Sequence, residues 1–126
     1  MKAIAHQDQA WEVWREGVQS RMLVSAQNGA TRLCIFEQQV APGTGAPTHC
    51  HPFEEVLIVL AGEAEVWIAD SRVRLSAGGS VIVPAQCNHG FRNSGTGTLH
   101  VHAILASPFF EALFENASEP VRRWVT

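Results

Sequence analysis

The sequence predicts an all-β domain, an antiparallel sandwich or barrel, on three observations. Short runs rich in Val, Ile, Leu and aromatic residues recur at 21–25, 32–40, 56–61, 64–69, 73–75, 80–83 and 99–105. Turn-forming clusters separate them, among them Asn28-Gly29, Pro42-Gly43, Gly78-Gly79 and Gly95-Thr96-Gly97. The gaps between runs are too short for crossover helices, which excludes parallel βαβ units.

The rest of the chain is assigned around these strands. Residues 1–126 read as a single domain, since a chain of this length buries roughly two-thirds of its unfolded surface. Residues 1–20 read as an N-terminal arm; Trp11 and Trp14 have helical spacing, but the segment is short. Residues 21–106 form the barrel. Residues 107–126 are expected to form a short helix and a tail. Ser107 suits an N-cap, Pro108 the first helical position, and Phe109, Phe110, Leu113 and Phe114 recur at three- and four-residue steps.

Composition narrows the function classes. Hydrophobic residues at 46% and charged residues at 17% fit a globular core and argue against disorder. The net charge of −3, with no basic run, lacks the footprint of a nucleic-acid partner. No apolar run approaches the roughly 20 residues a membrane span needs, and residues 1–9 hold no apolar segment of a secretion signal. Three cysteines without a C-x-x-C pair argue against a disulfide framework, so a reducing, cytoplasmic setting is expected.

Chemistry concentrates in 43–62, G-T-G-A-P-T-H-C-H-P-F-E-E-V-L-I-V-L-A-G. In an extended chain His49, His51 and Glu55 share one parity and therefore one face. Cys50 and Glu54 have the opposite parity, which makes Cys50 a structural thiol and places Glu54 outside. A further candidate ligand, His89, lies in P-A-Q-C-N-H-G-F-R-N, residues 84–93. Three imidazoles and one carboxylate suit a single divalent transition metal such as Fe, Mn, Ni or Zn. An octahedral ion so held keeps two positions open. One carboxylate offsets half the charge of such an ion, which favours an anionic or enolisable substrate. Residues on the ligands' parity, Leu57, Val59 and Phe91, with Phe36 or Met22 from earlier strands, give a mostly apolar pocket for a small organic molecule. His100 and His102 share one face of the last strand. They read either as inward bases near the site or as outward groups toward a partner or the terminal helix; the outward reading is adopted. His6 is expected in solvent.

These two stretches resemble the motifs of the cupin superfamily. The first, G-x5-H-x-H-x3-E-x6-G, is met by Gly43, His49, His51, Glu55 and Gly62. The second, G-x5-P-x-G-x2-H-x3-N, is met by Gly78, Pro84, His89 and Asn93, with Gln86 where the family has a turn glycine. The 15 residues between the motifs, 63–77, resemble the spacing of compact single-domain, RmlC-like cupins. The resemblance implies a double-stranded β-helix (jelly-roll) barrel with His49, His51, Glu55 and His89 around the metal. It also implies a metal-dependent enzyme acting on a chelating organic acid or diketone-like substrate, by dioxygenase or isomerase/lyase chemistry. The alternative is a cupin that binds a small molecule without reaction, favoured by the scarcity of acid and base groups beyond the ligands. The absence of tyrosine disfavours the family's tyrosine-dependent chemistries. Small cupins commonly pair, so a homodimer is expected, with Trp11, Trp14 and Trp124 covering its interface.

Overall fold

A computed structural model describes residues 1–126. Its strands are β1 (Trp11–Arg15), β2 (Val18–Val24), β3 (Cys34–Val40), β4 (Gly45–Cys50), β5 (Glu55–Ala61), β6 (Glu63–Ile68), β7 (Ser71–Ser76), β8 (Ser80–Val83), β9 (His89–Asn93), β10 (Leu99–Leu105), β11 (Phe110–Phe114) and β12 (Val121–Arg123). The only helical elements are two 3-10 turns, His6–Asp8 and Ala26–Asn28. No helix is long and apolar enough to cross a membrane.

The strands form two antiparallel sheets, ordered β1-β2-β3-β10-β5-β8 and β12-β11-β4-β9-β6-β7. Chain-neighbouring strands repeatedly part to opposite sheets, the jelly-roll arrangement. Period-two burial faces the sheets toward each other. Along β10, Leu99, Val101, Ala103 and Leu105 are buried, while His100, His102 and Ile104 lie half-buried on the outer face. Phe36, Leu57, Val59 and Val101 from the first sheet share one core with Ala46, Val66, Phe91 and Phe110 from the second. Gly62 turns β5 into β6 at φ +86°, and a Cβ there would meet Thr98 O at 2.9 Å, so both backbone angle and space call for glycine.

Two expectations are corrected. The segment expected to be a helix from Ser107 is strand β11. The Ser107 hydroxyl accepts from the Phe109 N–H (3.2 Å) and donates to the Phe109 carbonyl (2.8 Å), a local turn rather than a helix cap. Leu113 and Phe114 then pair with Cys50 and His49 of β4, and Phe110 to Ala112 pair with β12. Pairing on both edges overrides the helical spacing of the aromatics. The 1–20 arm is likewise part of the barrel: β1 and β2 form a hairpin at the edge of the first sheet, and the barrel's strands run from Trp11 to Arg123. A register shift between Val13 and Arg15 accompanies the different settings of the two tryptophans. Trp11 stacks under the Arg21 guanidinium, whereas Trp14 packs against Phe36, Phe110 and Trp124.

Candidate metal centre

Four strand ends meet at one mouth of the barrel. Pro47, which has no N–H to give a ladder, sits where β4 slips register against β9 between Ala46 and His49. The slip changes parity, so both Ala46 and His49 face inward. His51 follows β4, Glu55 opens β5 in the opposite sheet, and His89 opens β9. All four are buried. His51 is further set by its stacking on Phe53, centroids 5.6 Å apart, and by the Gln86 N–H, which donates to the His51 carbonyl at 2.7 Å.

Each imidazole is anchored through Nδ1 to a backbone carbonyl: His49 to Pro47 (2.7 Å), His51 to Glu111 (2.7 Å) and His89 to Cys87 (2.9 Å). A carbonyl only accepts, so each Nδ1 carries the proton of that bond and each ring turns its Nε2 inward, as a lone pair where the ring is neutral and as an N–H toward Glu55 where it is protonated. The three candidate donor atoms lie within 4.8 Å of one another. Glu55 Oε1 stands 3.0 Å from His89 Nε2 and 3.6 Å from His51 Nε2. His51 Nε2 is sealed from solvent without a hydrogen-bond partner. Lone pairs facing a carboxylate repel unless a proton or a metal ion lies between them. Metal–nitrogen bonds of about 2.0–2.1 Å require donors roughly 3–4 Å apart, a range met by the two distances from Glu55 to His89 and His51.

The electrostatics agree. Burial drives the His49 pKa down to about 3, helped by the charges of His89 and His51, so this ring stays neutral and free to ligate. Burial also opposes the charge of His51, but the Glu55 carboxylate 3.6 Å away and the Glu111 carbonyl outweigh it and raise its pKa. Burial opposes ionisation of Glu55 as well; the adjacent His51, the hydrogen-bonded His89 and their charges hold its carboxyl well below the ordinary value. The Cys34 thiol, pushed up to about 12 by burial and by the Glu55 charge, is no nucleophile.

The enclosed chamber beside these groups is about 30 Å³. Phe36, Leu57 and Phe91 line it; Val59 and Met22 are buried in the core but do not reach the wall. The sequence reading missed Trp14, Arg15, Gln38, Phe110 and Phe114, which also line it. Gln38 shares the parity of Phe36 and was legible; it donates to the Ser20 hydroxyl at 2.9 Å. Asn93 serves structure, donating to the Val40 and Gly97 carbonyls at 2.9 and 2.8 Å.

Remaining candidates fall elsewhere. Glu54 and His6 are exposed, and Cys50 is half-buried outside the cluster. His100 and His102 lie on the outer face, where their Nε2 atoms meet Glu37 Oε2 at 3.1 and 3.3 Å; Arg21 Nε donates to Glu37 Oε1 at 2.7 Å.

A jelly-roll barrel with imidazoles and a carboxylate converging at one mouth defines the class of small β-barrel proteins with an internal candidate metal centre. The chain belongs to the cupin family: residues 36–105, more than half of its length, match the Cupin domain. It is 28% identical over 93 residues to auxin-binding protein 1 of Arabidopsis thaliana, covering 67% of this chain and 47% of that one, so the chain spans about half the length of this curated relative. In structure it is similar to the polyketide cyclase RemF of Streptomyces resistomycificus, with a TM-score of 0.73 and 24% identity over 83% of this chain and 78% of that one. It also resembles Bacillus subtilis oxalate decarboxylase, a protein with Mn(II) centres, with a TM-score of 0.78 and 16% identity over 87% of this chain and 31% of that one. At such identities the two structures share the fold with this chain.

Proposed function

We propose that this cupin is a metal-dependent enzyme for a small chelating organic acid or diketone-like molecule, working by dioxygenase or isomerase/lyase chemistry. The observation that carries the reading is the cluster of three buried, Nδ1-anchored imidazoles, two of them beside the Glu55 carboxylate. His49, His51, His89 and Glu55 would hold one divalent ion, Fe, Mn, Ni or Zn. When bound, it would act as a Lewis acid, or as a redox centre if iron or manganese, on a chelating substrate. The protein's own groups do the rest. The backbone carbonyls of Pro47, Glu111 and Cys87 fix the tautomers, and Phe36, Leu57, Phe91, Phe110 and Phe114 exclude water.

The neighbours lend support: cyclase and decarboxylase names occur among proteins of this shape, one of them with manganese. Protein purified without chelators and then reconstituted should carry about one equivalent of metal, and His49→Ala with His89→Ala should abolish it. The loaded protein should turn over a member of a panel of chelating acids and diketones. Uptake below about a tenth of an equivalent rejects the metal site. Full uptake with no turnover, and a ligand that copurifies unchanged, favours the second reading, a non-catalytic binding cupin; no acid or base beyond the ligand set is evident in the chamber wall apart from Arg15.

We also propose a homodimer in a reducing, cytoplasmic setting, which the three free cysteines suit. Its expected basis changes, because Trp14 and Trp124 are engaged with Phe36 and Phe110 inside the molecule. The better candidate surface is the outer face of the first sheet. There Ile82 and Leu60 are 64% and 41% exposed beside half-buried Val56, Ile58 and Ile104.

A further inference from the structure

Two arginines from opposite ends of the described chain line a recess beside the chamber. Arg15 ends β1 and Arg123 ends β12. Together with Trp14, Phe110, Phe114 and Val121 they line a recess of about 180 Å³. Trp14, Arg15, Phe110 and Phe114 also line the inner chamber, so the two spaces share a wall. At about 30 Å³ the chamber has room for an ion and a water or two, not for an organic molecule of several carbons. A larger substrate has to extend beyond the chamber, and the recess on the other side of the shared wall is the adjoining space for its remainder.

The charge there is unbalanced. Neither guanidinium has a carboxylate within 4.0 Å, whereas the adjacent Arg122 is paired with Glu111 at 2.7 Å. Arg15 has one long contact to the Gly45 carbonyl (3.4 Å) and lies 5.5 Å above the Phe114 ring. Arg123 lies 4.3 Å over Trp14, and its Nε is shut off from solvent with no hydrogen-bond partner. Stacking on aromatic rings holds each group and offsets part of its burial. It leaves the planar donor edges free and the like charges unneutralised. Burial and the charge of Arg123 both press the Arg15 pKa downward, the mark of a cation without its anion.

We propose that Arg15 and Arg123 bind a carboxylate of the substrate, which makes the ligand a small organic acid with an apolar middle and a metal-seeking group at its far end. The inference rests on the proposed metal centre for that far end only. A flat carboxylate matches the guanidinium fork in bidentate fashion, and the aromatic walls suit the carbon chain. Arg15 and Arg123 then set substrate choice and position, while the metal donors meet the reacting end.

Trp14 beneath Arg123 reports occupancy directly. Metal-free and zinc-loaded protein would be titrated with glutarate, its neutral diamide, 2-oxoglutarate and inorganic phosphate, following tryptophan fluorescence and calorimetry. Glutarate should bind metal-free protein at least about tenfold more tightly than the diamide or phosphate, and zinc should tighten 2-oxoglutarate by a further about tenfold. Arg15→Gln and Arg123→Gln should each weaken glutarate about tenfold, Arg15→Lys less, and Arg122→Gln not at all. Melting curves check that each variant is folded, and zinc uptake is measured on each separately. Equal binding of acid and diamide, phosphate binding as tight as glutarate, or a folded glutamine variant with unchanged affinity overturns the proposal. Zinc uptake without acid binding removes this proposal and spares the metal centre; arginine-dependent glutarate binding without zinc uptake does the reverse.

Discussion

Gln86 occupies the left-handed region at φ 65°, where the second motif of the family carries glycine. A side chain there costs roughly 1–2 kcal/mol against the ordinary backbone region, partly offset by the looser unfolded chain that glycine would bring. Gln86→Gly should therefore stabilise the protein by roughly 1 kcal/mol, a rise of about 3–5 °C in thermal midpoint. An unchanged or lower midpoint would show that the glutamine side chain makes a compensating contact. The strain has a use: the Gln86 N–H holds the His51 carbonyl, so the turn places a candidate ligand. At this scale the sequence was most readable. Imidazole and carboxylate are rare in a core, so their spacing in 43–62 and 84–93 points to one place before any fold is known. Arg15 was not readable, because an arginine on a short segment looks like any solvated surface residue.

Strand pairing decides what single residues cannot. On the outer face of the first sheet, Glu37 of β3 joins Arg21 of β2 to His100 and His102 of β10. Burial works against this carboxylate, yet hydrogen bonds from His100 and Arg21, the Arg21 charge and His102 together hold its pKa below the ordinary 4.5. A depressed carboxylate stabilises the fold fully above its unfolded value and loses that contribution as pH falls through the folded one. Glu37→Gln should thus cost about 1–3 kcal/mol near neutral pH, less in acid, and flatten the acid side of the stability profile. Urea unfolding of both proteins from pH 3 to 7 measures this, and parallel profiles would refute it. Alternation put His100 and His102 on one face and left both directions open; pairing of β10 beside β3 sets them outward, against Glu37. β11 did not, because Phe110 and Phe114 at four-residue spacing satisfy a helix as well as a strand. Only the edge of β4, distant in sequence, and that of β12, the next strand in the chain, choose between them.

For the molecule as a whole, the apolar outer face predicts self-association. Light scattering should give twice the 13.8 kDa chain mass at micromolar concentration, and Ile82→Lys should shift it toward the monomer without loss of fold. A wild-type monomer at high concentration ends that proposal. The seven runs rich in β-formers made the architecture legible, and the double motif gave the family. The recess was invisible, since its two arginines come from strands that read as an arm and a tail. That closure has a kinetic side. Trp124, which packs on Phe36 and Trp14, follows a strand of only three residues paired solely with β11. Such a short terminal strand belongs to the least protected part of a fold and opens before the rest does. Its opening would take Trp124 off Trp14 and Phe36, both of which line the chamber, so the rate at which molecules enter and leave would follow this strand rather than any motion of the buried histidines.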